Sequence, residues 1–390
     1  MIVLDLSRLL SRAGSATPSG IDRVEMAYAR YLLASEHPHG FAALNAVNRI
    51  GALPHLNAGR FIAALSALWR EGGVVEDHRE TAVLARELRR ATLSGERTLH
   101  GQMEPGGRTP VYLLVSHHHL DRRRPIERLK AASSARFVCF IHDLIPLDFP
   151  QYTRPSQTRR HRRRIATTRA LADAIIVNSD ATRLALQRHL DGDLPITVAP
   201  LGLASSDSPK AAADRPYFVC IGTVEARKNH VLLLEVWRRL VAEFGDSAPR
   251  LLLIGQRGWR GKEIAARLQS LRDFISEHRD LPDRDMLGLL RGAQALLLPS
   301  FVEGFGLPVI EALAAGIPVI CSDLPALRES GGNVPDYLDP HDAGAWQGAI
   351  LDFMADSPRR QAQLARLTAW QPPSWRDHFV IVEQLIAGLT

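Results

Sequence analysis

Residues 295–321 constrain the fold of this chain more than any other stretch. The apolar run 295–298 has the length and composition of a buried strand, and the glycine-rich residues 303–306 follow it as a turn. A helix is expected to begin near Pro308, because proline is favoured in the first turn of a helix. A second apolar run, 319–321, completes a strand, helix and strand in that order. This order is the βαβ unit of a parallel sheet.

A similar alternation of short apolar runs and longer amphipathic stretches occurs throughout the 390 residues. The candidate strands are 2–6, 111–115, 137–141, 174–177 and 196–198 in the first half and 217–221, 250–254, 295–298 and 319–321 in the second. Each half therefore has enough strands for its own sheet, and a chain of this length usually forms more than one core. The predicted fold class is α/β with two domains.

A polar stretch with small residues and proline, 203–216, separates the two halves. Such a stretch cannot pack a core and is typical of an interdomain linker. We therefore predict a first domain over residues 1–205, a linker over 206–216 and a second domain over 217–372.

Basic residues are concentrated in the first half of the chain. Residues 1–210 hold 29 Lys and Arg against 20 Asp and Glu, whereas residues 211–390 hold 19 against 22. Five arginines share one short run, namely Arg159, Arg160, Arg162, Arg163 and Arg164. Two interpretations stay open: a solvated helix face, or a surface for an anionic partner such as a phospholipid membrane, a diphosphate-lipid acceptor or nucleic acid. No aromatic-interleaved RNA motif accompanies the arginines, which argues against nucleic acid.

The apolar runs and the cysteines indicate an intracellular globular protein. No run of about 18 apolar residues is present, and Asp5 interrupts the first apolar run too early for a secretory signal, so a cytoplasmic protein is expected. Cys139, Cys220 and Cys321 lie in separate apolar runs, which predicts buried, unreactive thiols. The histidine triplet 117–119 cannot direct all three rings at one metal ion, so we interpret it as part of a loop.

Two carboxylates, Glu303 and Glu311, stand on either side of the predicted helix start. Glu303 falls in the turn and Glu311 about one helical turn into the helix, so both can face one cleft, where sugar hydroxyls are natural partners for such acceptors. The helix N-terminus between them favours an anion, because its first backbone N–H groups have no partners within the helix. The segment thus predicts hydroxyl and anion contacts at one end of the second sheet.

Two further polar elements follow candidate strands. Arg227 and Lys228 come just after the strand 217–221, and paired cations there suit a diphosphate group. His142 and Asp143 follow a strand of the first half, at the edge where ligand sites in α/β sheets collect. We therefore expect a ligand near His142, and we expect Asp143 to support the loop.

The pattern of strand, glycine turn, helix and two glutamates resembles the signature of the family-four retaining glycosyltransferases, in which seven residues separate the glutamates, as they do Glu303 and Glu311. The resemblance implies the GT-B fold, with two Rossmann-like domains that face each other across a cleft. It also implies that Glu303 contacts hydroxyls of the donor sugar and that Glu311 binds the nucleotide ribose. The backbone amides of Phe305, Gly306 and Leu307 would hold the sugar and the diphosphate.

The residues from Gly222 to Asn229 are similar to a G-x-x-x-x-R-K-N element of the same family. This likeness implies that Arg227 and Lys228 bind the diphosphate, with Gly222 and Thr223 in the donor site. Many members carry an additional arginine where this chain has Thr223. The source of the second positive charge therefore stays open.

Shorter matches extend the resemblance to both halves. The motif H-D-x-x-P implies that His142 lies by the donor sugar, and the turn at Gly20, where Ser19 replaces one glycine of the family's pair, would close on the donor phosphate. Leu281 lies in the loop whose backbone touches the base in the family. Residues 373–390 are amphipathic and are implied to cross back to the first domain.

The resemblance implies a retaining, metal-independent glycosyltransferase of polysaccharide biosynthesis, similar to bacterial mannosyl- and rhamnosyltransferases. It would transfer a sugar from a nucleotide-diphosphate sugar, with GDP-mannose as the first choice, to a glycan or lipid-linked acceptor. No cofactor is expected besides the donor substrate. The five arginines would hold the protein peripherally on the inner face of the membrane. The alternatives are a sugar-nucleotide epimerase of the same fold, which acts without an acceptor, and a basic nucleic-acid-binding protein.

Overall fold

The computed structural model describes residues 1–72, 75–103, 109–203, 208–211, 214–259 and 261–389. They form two compact units, one of Met1–Asp148, Pro155–Leu201 and Trp375–Thr390 and the other of Phe149–Arg154 and Gly202–Ser374. Each unit contains one sheet, and helices connect most of its strands. The α/β class predicted from the strand pattern is confirmed.

The predicted domain limits stay a prediction, because part of the boundary lies outside the described residues. Residues 206–207 and 212–213 of the predicted linker 206–216 are among those outside. The segment Phe149–Arg154, which the sequence pattern leaves in the first half, belongs to the second unit.

The sheet of the first unit has seven strands. They are β1 (Ile2–Asp5), β2 (His39–Leu44), β3 (Ile50–Leu53), β4 (Val111–Leu114), β5 (Arg136–Ile141), β6 (Ala174–Val177) and β7 (Ile196–Val198). Their order is β3-β2-β1-β4-β5-β6-β7, with β2 and β3 antiparallel and all other neighbours parallel. Residues of β1, β4, β5 and β6 are almost all buried, as expected for strands covered on both faces.

Among the described residues, nine helices of the first unit precede the second sheet in the chain. They are α1 (Ser7–Ser11), α2 (Gly20–Ala34), α3 (His55–Glu71), α4 (Val75–Ala91), α5 (Gly95–Gln102), α6 (Arg123–Ser133), α7 (Ile145–Asp148), α8 (Pro155–Leu171) and α9 (Asp180–Gln187). The side chain of Ser19 caps α2 and forms a capping box with Asp22. A helix therefore begins directly at Gly20.

The sheet of the second unit has six strands, all parallel. They are β8 (Tyr217–Ile221), β9 (Arg250–Ile254), β10 (Ile275–His278), β11 (Leu296–Leu298), β12 (Val319–Ser322) and β13 (Asp336–Leu338), in the order β10-β9-β8-β11-β12-β13. Trp237 and Trp346 are fully buried in the hydrophobic core on one face of this sheet. Parallel pairing and full burial explain why β8 and β11 consist wholly of apolar residues.

In the described part of the second unit, seven helices accompany this sheet, and one more helix follows them in the sequence. The seven are α10 (His230–Phe244), α11 (Gly261–Leu268), α12 (Asp283–Gly292), α13 (Leu307–Ala314), α14 (Pro325–Gly331), α15 (Ala343–Met354) and α16 (Pro358–Thr368). The last helix, α17 (Trp375–Ala387), belongs to the first unit, where the Nε2 of His378 lies 2.8 Å from the hydroxyl of Tyr28. In the part of the chain that the structure describes, no helix is long and apolar enough to cross a membrane.

The strand orders place a topological switch point in each unit. In the first sheet the order reverses between β1 and β4, and in the second between β8 and β11. Loops that leave the carboxyl ends of such neighbouring strands run in opposite directions and open a crevice, which is where open α/β sheets bind ligands. The predicted cations follow β8 and the predicted Glu303 follows β11. The second switch point is therefore the first place to look for a site.

Candidate active site

Two loops of the second unit meet at its switch point. The loop after β8 begins at Gly222, whose φ of 140° favours glycine, and a Cβ added there would lie 3.3 Å from the side chain of Lys228. This loop then forms a 3-10 turn over Ala226–Lys228. The backbone N–H of Phe301, in the loop after β11, donates to the carbonyl oxygen of Arg227 at 2.8 Å. The two loops are thus joined through their backbones.

Glu303 is the centre of a cluster of charged side chains in these loops. Its Oε1 pairs with the Nζ of Lys228 and accepts from the hydroxyl of Ser300 at 2.6 Å, while its Oε2 pairs with the Nη1 of Arg227 at 3.0 Å. The Nε of Arg227 also pairs with Glu225 at 2.6 Å. The side chains of Glu303 and Lys228 are 8% and 7% exposed. Two cations and two carboxylates are thus held together, and the Lys228–Glu303 pair is largely out of solvent.

The cluster determines the charge state of Glu303. Burial by itself would raise the pKa of this carboxyl, but the charges of Lys228 and Arg227, with hydrogen bonds from Lys228 and Ser300, outweigh burial and lower the pKa to about 2. Glu303 is therefore an ionised acceptor at physiological pH. The sequence assigned Glu303 to sugar hydroxyls and the two cations to a diphosphate, and here the two cations pair with Glu303 and Glu225.

Helix α13 carries the other predicted donor contacts of this motif. Gly306 precedes the helix with a φ of 100°, and a Cβ added there would lie 2.5 Å from the side chain of Leu327, so the turn requires glycine. Phe305 is buried, and Leu307 is the first residue of the helix. Glu311 lies one helical turn after Leu307 and is half-buried. The amides at the start of α13 and the Glu311 carboxylate therefore belong to one short element.

Thr223 and Leu281 lie in neighbouring loops of the second unit. A Cβ added at Gly258 would lie 2.6 Å from the methyl group of Thr223, and one added at Gly255 would lie 2.2 Å from the carbonyl oxygen of Gly222. The loops after β8 and β9 therefore pack closely through glycine positions. The side chain of Leu281 packs against the hydrophobic core just before α12 begins.

In the first unit, His142 follows β5 and is held at three polar atoms. Its backbone N–H donates to the Nε2 of His117 at 3.4 Å, and its Nε2 donates to the carbonyl oxygen of Val115 at 2.8 Å. Its carbonyl oxygen accepts from the side-chain amide of Asn178 at 3.1 Å. The ring of Phe140 stacks on the imidazole, with centroids 4.4 Å apart. The orientation of His142 is therefore fixed by residues that lie in β5 or just after β4 and β6.

Burial lowers the pKa of His142 to about 4, although the hydrogen bond to Val115 acts in the opposite direction. The imidazole is therefore neutral at physiological pH, with its proton on Nε2 and a lone pair on Nδ1. Asp143 accepts from the backbone N–H of Ile145 at 3.0 Å, which fits the loop-supporting role expected of it. His142 can accept a hydrogen bond from a ligand hydroxyl through Nδ1.

Gly20 is the first residue of α2, it is exposed, and its φ is not positive. Ser19, which stands where the family has a glycine, caps the helix instead. Asp22 of the same turn pairs with Arg8 at 2.5 Å and with Arg12 at 3.1 Å. The turn is thus held to α1 through charges, a feature that the resemblance did not indicate.

The five arginines of α8 do not form one surface. Arg160 donates to the carbonyl oxygen of His118 at 2.5 Å and its Nε lies 3.2 Å from Asp121, while Arg164 is half-buried with its Nη1 3.4 Å from the Nδ1 of His161. Burial lowers the pKa of Arg164 to about 10. The exposed members are Arg159, Arg162 and Arg163. Arg160 and Arg164 are thus partly engaged within the protein, and the expectation that the five arginines meet an anionic partner stays a prediction.

Sequence analysis assigned no supporting role to the residues that hold the predicted side chains in place, although Asn178 matches the family's pattern at a strand end. Ser300 donates to Glu303, and Asn178 and Val115 hold His142. Their common signal is position, because each lies one or two residues beyond the carboxyl end of a buried strand. A polar residue at such a place is a candidate support even without a motif.

Two family profiles match the chain, one in each half. Residues 215–356 match the family described as "Glycosyl transferases group 1", and residues 117–193 match "Glucosyltransferase 3-like, N-terminal domain". The first match contains the Glu303 cluster, and the second contains His142. Both candidate sites therefore lie within regions that are similar to glycosyltransferases.

Curated relatives are similar to a large part of the chain. Identity is 29% over 258 residues to O-antigen chain mannosyltransferase B of Escherichia coli, covering 62% of this chain and 68% of that protein. Identity to O-antigen chain mannosyltransferase RfbU of Salmonella typhimurium is 26%, and the match covers 55% of this chain and 59% of that protein. Identity to serotype-specific mannosyltransferase WbdA of Escherichia coli is also 26%, and the match covers 55% of this chain and 29% of that protein. The chain thus spans less than two thirds of RfbU and WbdA. All three are named transferases, and the epimerase alternative gains no support from them.

Solved structures show the same fold over the whole chain. Sucrose-phosphate synthase from Thermosynechococcus elongatus is similar with a TM-score of 0.65 at 18% identity, covering 100% of this chain and 98% of that one. HepE of Anabaena in complex with UDP-glucose is similar with a TM-score of 0.66 at 14% identity, covering 99% of each chain. At these identities the likeness shows the fold alone. With the family matches, it places this chain among the glycosyltransferases of the GT-B fold, with a glycosyl transferases group 1 domain over residues 215–356.

Proposed function

We propose that the chain transfers mannose from GDP-mannose to a glycan or lipid-linked acceptor in polysaccharide biosynthesis, with retention of anomeric configuration. The observation that carries the proposal is the cluster of Arg227, Lys228 and Glu303 at the switch point of the second unit. It combines cations for a diphosphate with an ionised acceptor for hydroxyl groups. The choice of mannose is supported by relatives that are named mannosyltransferases.

The cluster suggests how a donor would be held. Oε1 of Glu303 already has two partners, Lys228 and Ser300, whereas Oε2 has two lone pairs and pairs with Arg227, so Oε2 can accept from a sugar hydroxyl as well. Lys228 and Arg227 carry further N–H donors, which can turn to the diphosphate oxygens. As the bond from the anomeric carbon to the diphosphate breaks, charge develops on the diphosphate, and these cations stabilise it.

Retention is proposed to proceed by attack on the same face from which the diphosphate leaves. The acceptor oxygen forms a bond to the anomeric carbon while the bond from that carbon to the diphosphate oxygen breaks. The proton of the acceptor hydroxyl passes to the departing diphosphate. A double displacement would require a carboxylate nucleophile on the opposite face. Glu303 is an unsuitable nucleophile, because both its oxygens are already bonded to cations.

A donor panel tests the proposed reaction. We expect turnover with GDP-mannose to exceed that with UDP-glucose and other nucleotide sugars, and we expect an α-linked product, as in the donor, when proton NMR follows the anomeric signal. An oligomannoside primer serves as acceptor. Epimerisation of the donor without an acceptor, or a β-linked product, would contradict the proposal.

Metal independence is part of the same proposal, since Arg227 and Lys228 supply the positive charge that Mg²⁺ or Mn²⁺ supplies in other sugar transferases. Activity is therefore expected to stay unchanged in EDTA. Loss of activity in EDTA with recovery on adding Mg²⁺ or Mn²⁺ would refute this part and leave the transfer reaction itself standing.

We further propose reversible association with the inner face of the membrane through Arg159, Arg162 and Arg163, the exposed arginines of α8. Each basic residue near an anionic surface contributes about 1 kcal/mol, so changing all three to glutamine should weaken partitioning by about 100-fold at low salt. Sedimentation with phosphatidylglycerol-containing and neutral liposomes measures this.

The matched control for the membrane prediction changes three exposed arginines of α4, Arg79, Arg86 and Arg90, to glutamine. This variant has the same net charge as the α8 variant, so it separates the effect of position from that of total charge. Binding of the wild type is expected to fall as salt rises. If the two variants bound liposomes equally, or if binding did not depend on lipid charge, the proposal would be refuted and the α8 arginines would form an ordinary solvated face.

A further inference from the structure

A second histidine, His117, packs against His142 in the first unit. It lies three residues after the end of β4, and it is 5% exposed. Its ring meets that of His142 edge to face, with centroids 5.2 Å apart, and that of His161 in the same way at 5.3 Å. Sequence analysis placed this residue in a loop that could lie near the acceptor and gave it no specific contact.

The contacts between His142 and the residues after β4 are reciprocal. The side chain of His142 donates to the backbone of Val115, and the backbone of His142 donates to the side chain of His117. Each of these two hydrogen bonds involves the Nε2 atom of one ring: that of His142 in the first bond and that of His117 in the second. Neither Nδ1 has a hydrogen-bond partner among the described residues, and His117 and His142 are 5% and 6% exposed. Nδ1 is therefore the ring nitrogen of each histidine that is left for a ligand.

The two hydrogen bonds give the rings opposite tautomers. Nε2 of His142 donates, so its Nδ1 carries a lone pair, whereas Nε2 of His117 accepts, so its proton is on Nδ1. Burial lowers the pKa of both rings, and the charges of Arg8 on α1 and Arg164 on α8 lower them further, while Asp143 raises that of His142. His161 also lowers the pKa of His117. Both rings are neutral at physiological pH.

We infer that His117 and His142 form a donor and acceptor pair that binds two hydroxyl groups of a sugar. His142 accepts from one hydroxyl through its Nδ1, and His117 donates to the other through its Nδ1–H. A neutral pair with one donor and one acceptor suits hydroxyl groups better than a charged group. The inference rests on the proposed function for the identity of the ligand, and its test has a part that does not depend on that function.

The first part of the test concerns the protein without ligand. Long-range proton–nitrogen NMR distinguishes a protonated imidazole nitrogen from an unprotonated one, and His117→Gln and His142→Gln variants assign the signals. At pH 7 we expect protonated Nδ1 in His117 and protonated Nε2 in His142. The same tautomer in both rings, or an imidazolium in either, would overturn the inference whether or not the enzyme transfers mannose.

The second part separates the two bonds of His117 by substitution. In His117→Gln the side-chain oxygen takes the place of Nε2 and still accepts from His142, but the ligand-facing donor is lost. In His117→Asn the amide nitrogen takes the place of Nδ1 and still donates, but the bond to His142 is lost. We expect His117→Gln to raise the KM for donor about tenfold with little change in kcat, the cost of one hydrogen bond.

The complementary variant and a control complete this design. His117→Asn should lower kcat more than it raises KM, because His142 loses its backbone anchor. His118→Asn, in the same turn, should behave as the wild type, and melting temperatures check folding of all three. Equal losses in both His117 variants without a difference in KM would show a merely structural role and refute the pair.

Ligand titration makes the outcome independent of turnover. GDP-mannose and methyl α-mannoside are added to the wild type, and both imidazole Nδ1 signals are expected to shift. If no nucleotide sugar is turned over but the shifts occur, the transfer reaction is wrong and the pair stands. If transfer occurs and neither Nδ1 signal responds, the pair is wrong and the proposed function stands.

Discussion

Replacing Lys228 with alanine is expected to lower kcat by about two to three orders of magnitude, which is the usual cost of removing a group that stabilises leaving-group charge. Lys228 is 7% exposed and contacts Glu303, so its ammonium group lies in a dry site where its charge acts strongly. Arg227 stays in place but is shared between Glu225 and Glu303. Initial rates at saturating GDP-mannose measure the effect.

A control for stability belongs to this prediction, because removing Lys228 leaves the buried Glu303 with one cation fewer. The double variant Lys228→Ala, Glu303→Gln has no excess buried charge and should recover the melting temperature without recovering kcat. Lys210→Ala, at an exposed position, controls for the loss of a lysine elsewhere. A Lys228→Ala enzyme with more than one tenth of the wild-type kcat would refute the role in catalysis.

Glu303→Ala and Glu311→Ala are expected to affect different steps. Glu303→Ala should lower kcat about 100-fold, because a hydroxyl contact made in the transition state is lost. Free GDP should bind to this variant as well as to the wild type or more tightly, because Arg227 and Lys228 no longer pair with Glu303. Glu311→Ala should weaken donor and free GDP together by about tenfold, the cost of a charged hydrogen bond to a ribose hydroxyl.

Calorimetric titration with GDP, beside steady-state kinetics, separates these two effects. Glu329→Ala, on the exposed surface of α14, provides a matched control for the loss of a glutamate. Because the pKa of Glu303 is about 2, its carboxylate causes no change of activity between pH 5 and 9. Equal GDP affinities in the wild type and Glu311→Ala would contradict the ribose assignment.

The central strands of both sheets could be predicted, whereas four outer strands could not. The predicted limits 174–177, 196–198, 217–221 and 250–254 agree with β6, β7, β8 and β9. The missed strands are β2, β3, β10 and β13. Their sequences contain glycine, alanine or polar residues, as in Ile275-Ser276-Glu277-His278, and have little strand propensity of their own. Pairing with a neighbouring strand decides their structure.

The candidate site was predictable as a set of residues and unpredictable as a set of contacts. Motif spacing identifies Glu303 and Lys228, but only the neighbouring positions of β8 and β11 bring two side chains 75 residues apart into contact. The arginines of α8 illustrate the reverse error. At 100° per residue the five arginines span an arc of about 200° around the helix, so they do not all point in the same direction. Charge density along the sequence overstated the charged surface.

The neutrality of the Glu303 cluster has a consequence for competition in the cell. Arg227, Lys228, Glu225 and Glu303 carry two positive and two negative charges, so the site as a whole exerts little attraction on small anions at a distance. Inorganic phosphate or pyrophosphate would have to draw the cations away from the carboxylates and could not offer Glu303 several hydroxyl donors in return. Under the proposed function, a nucleotide sugar would bring hydroxyl groups that compensate Glu303 as its diphosphate takes the cations. Internal ion pairing would then favour ligands that contain both groups.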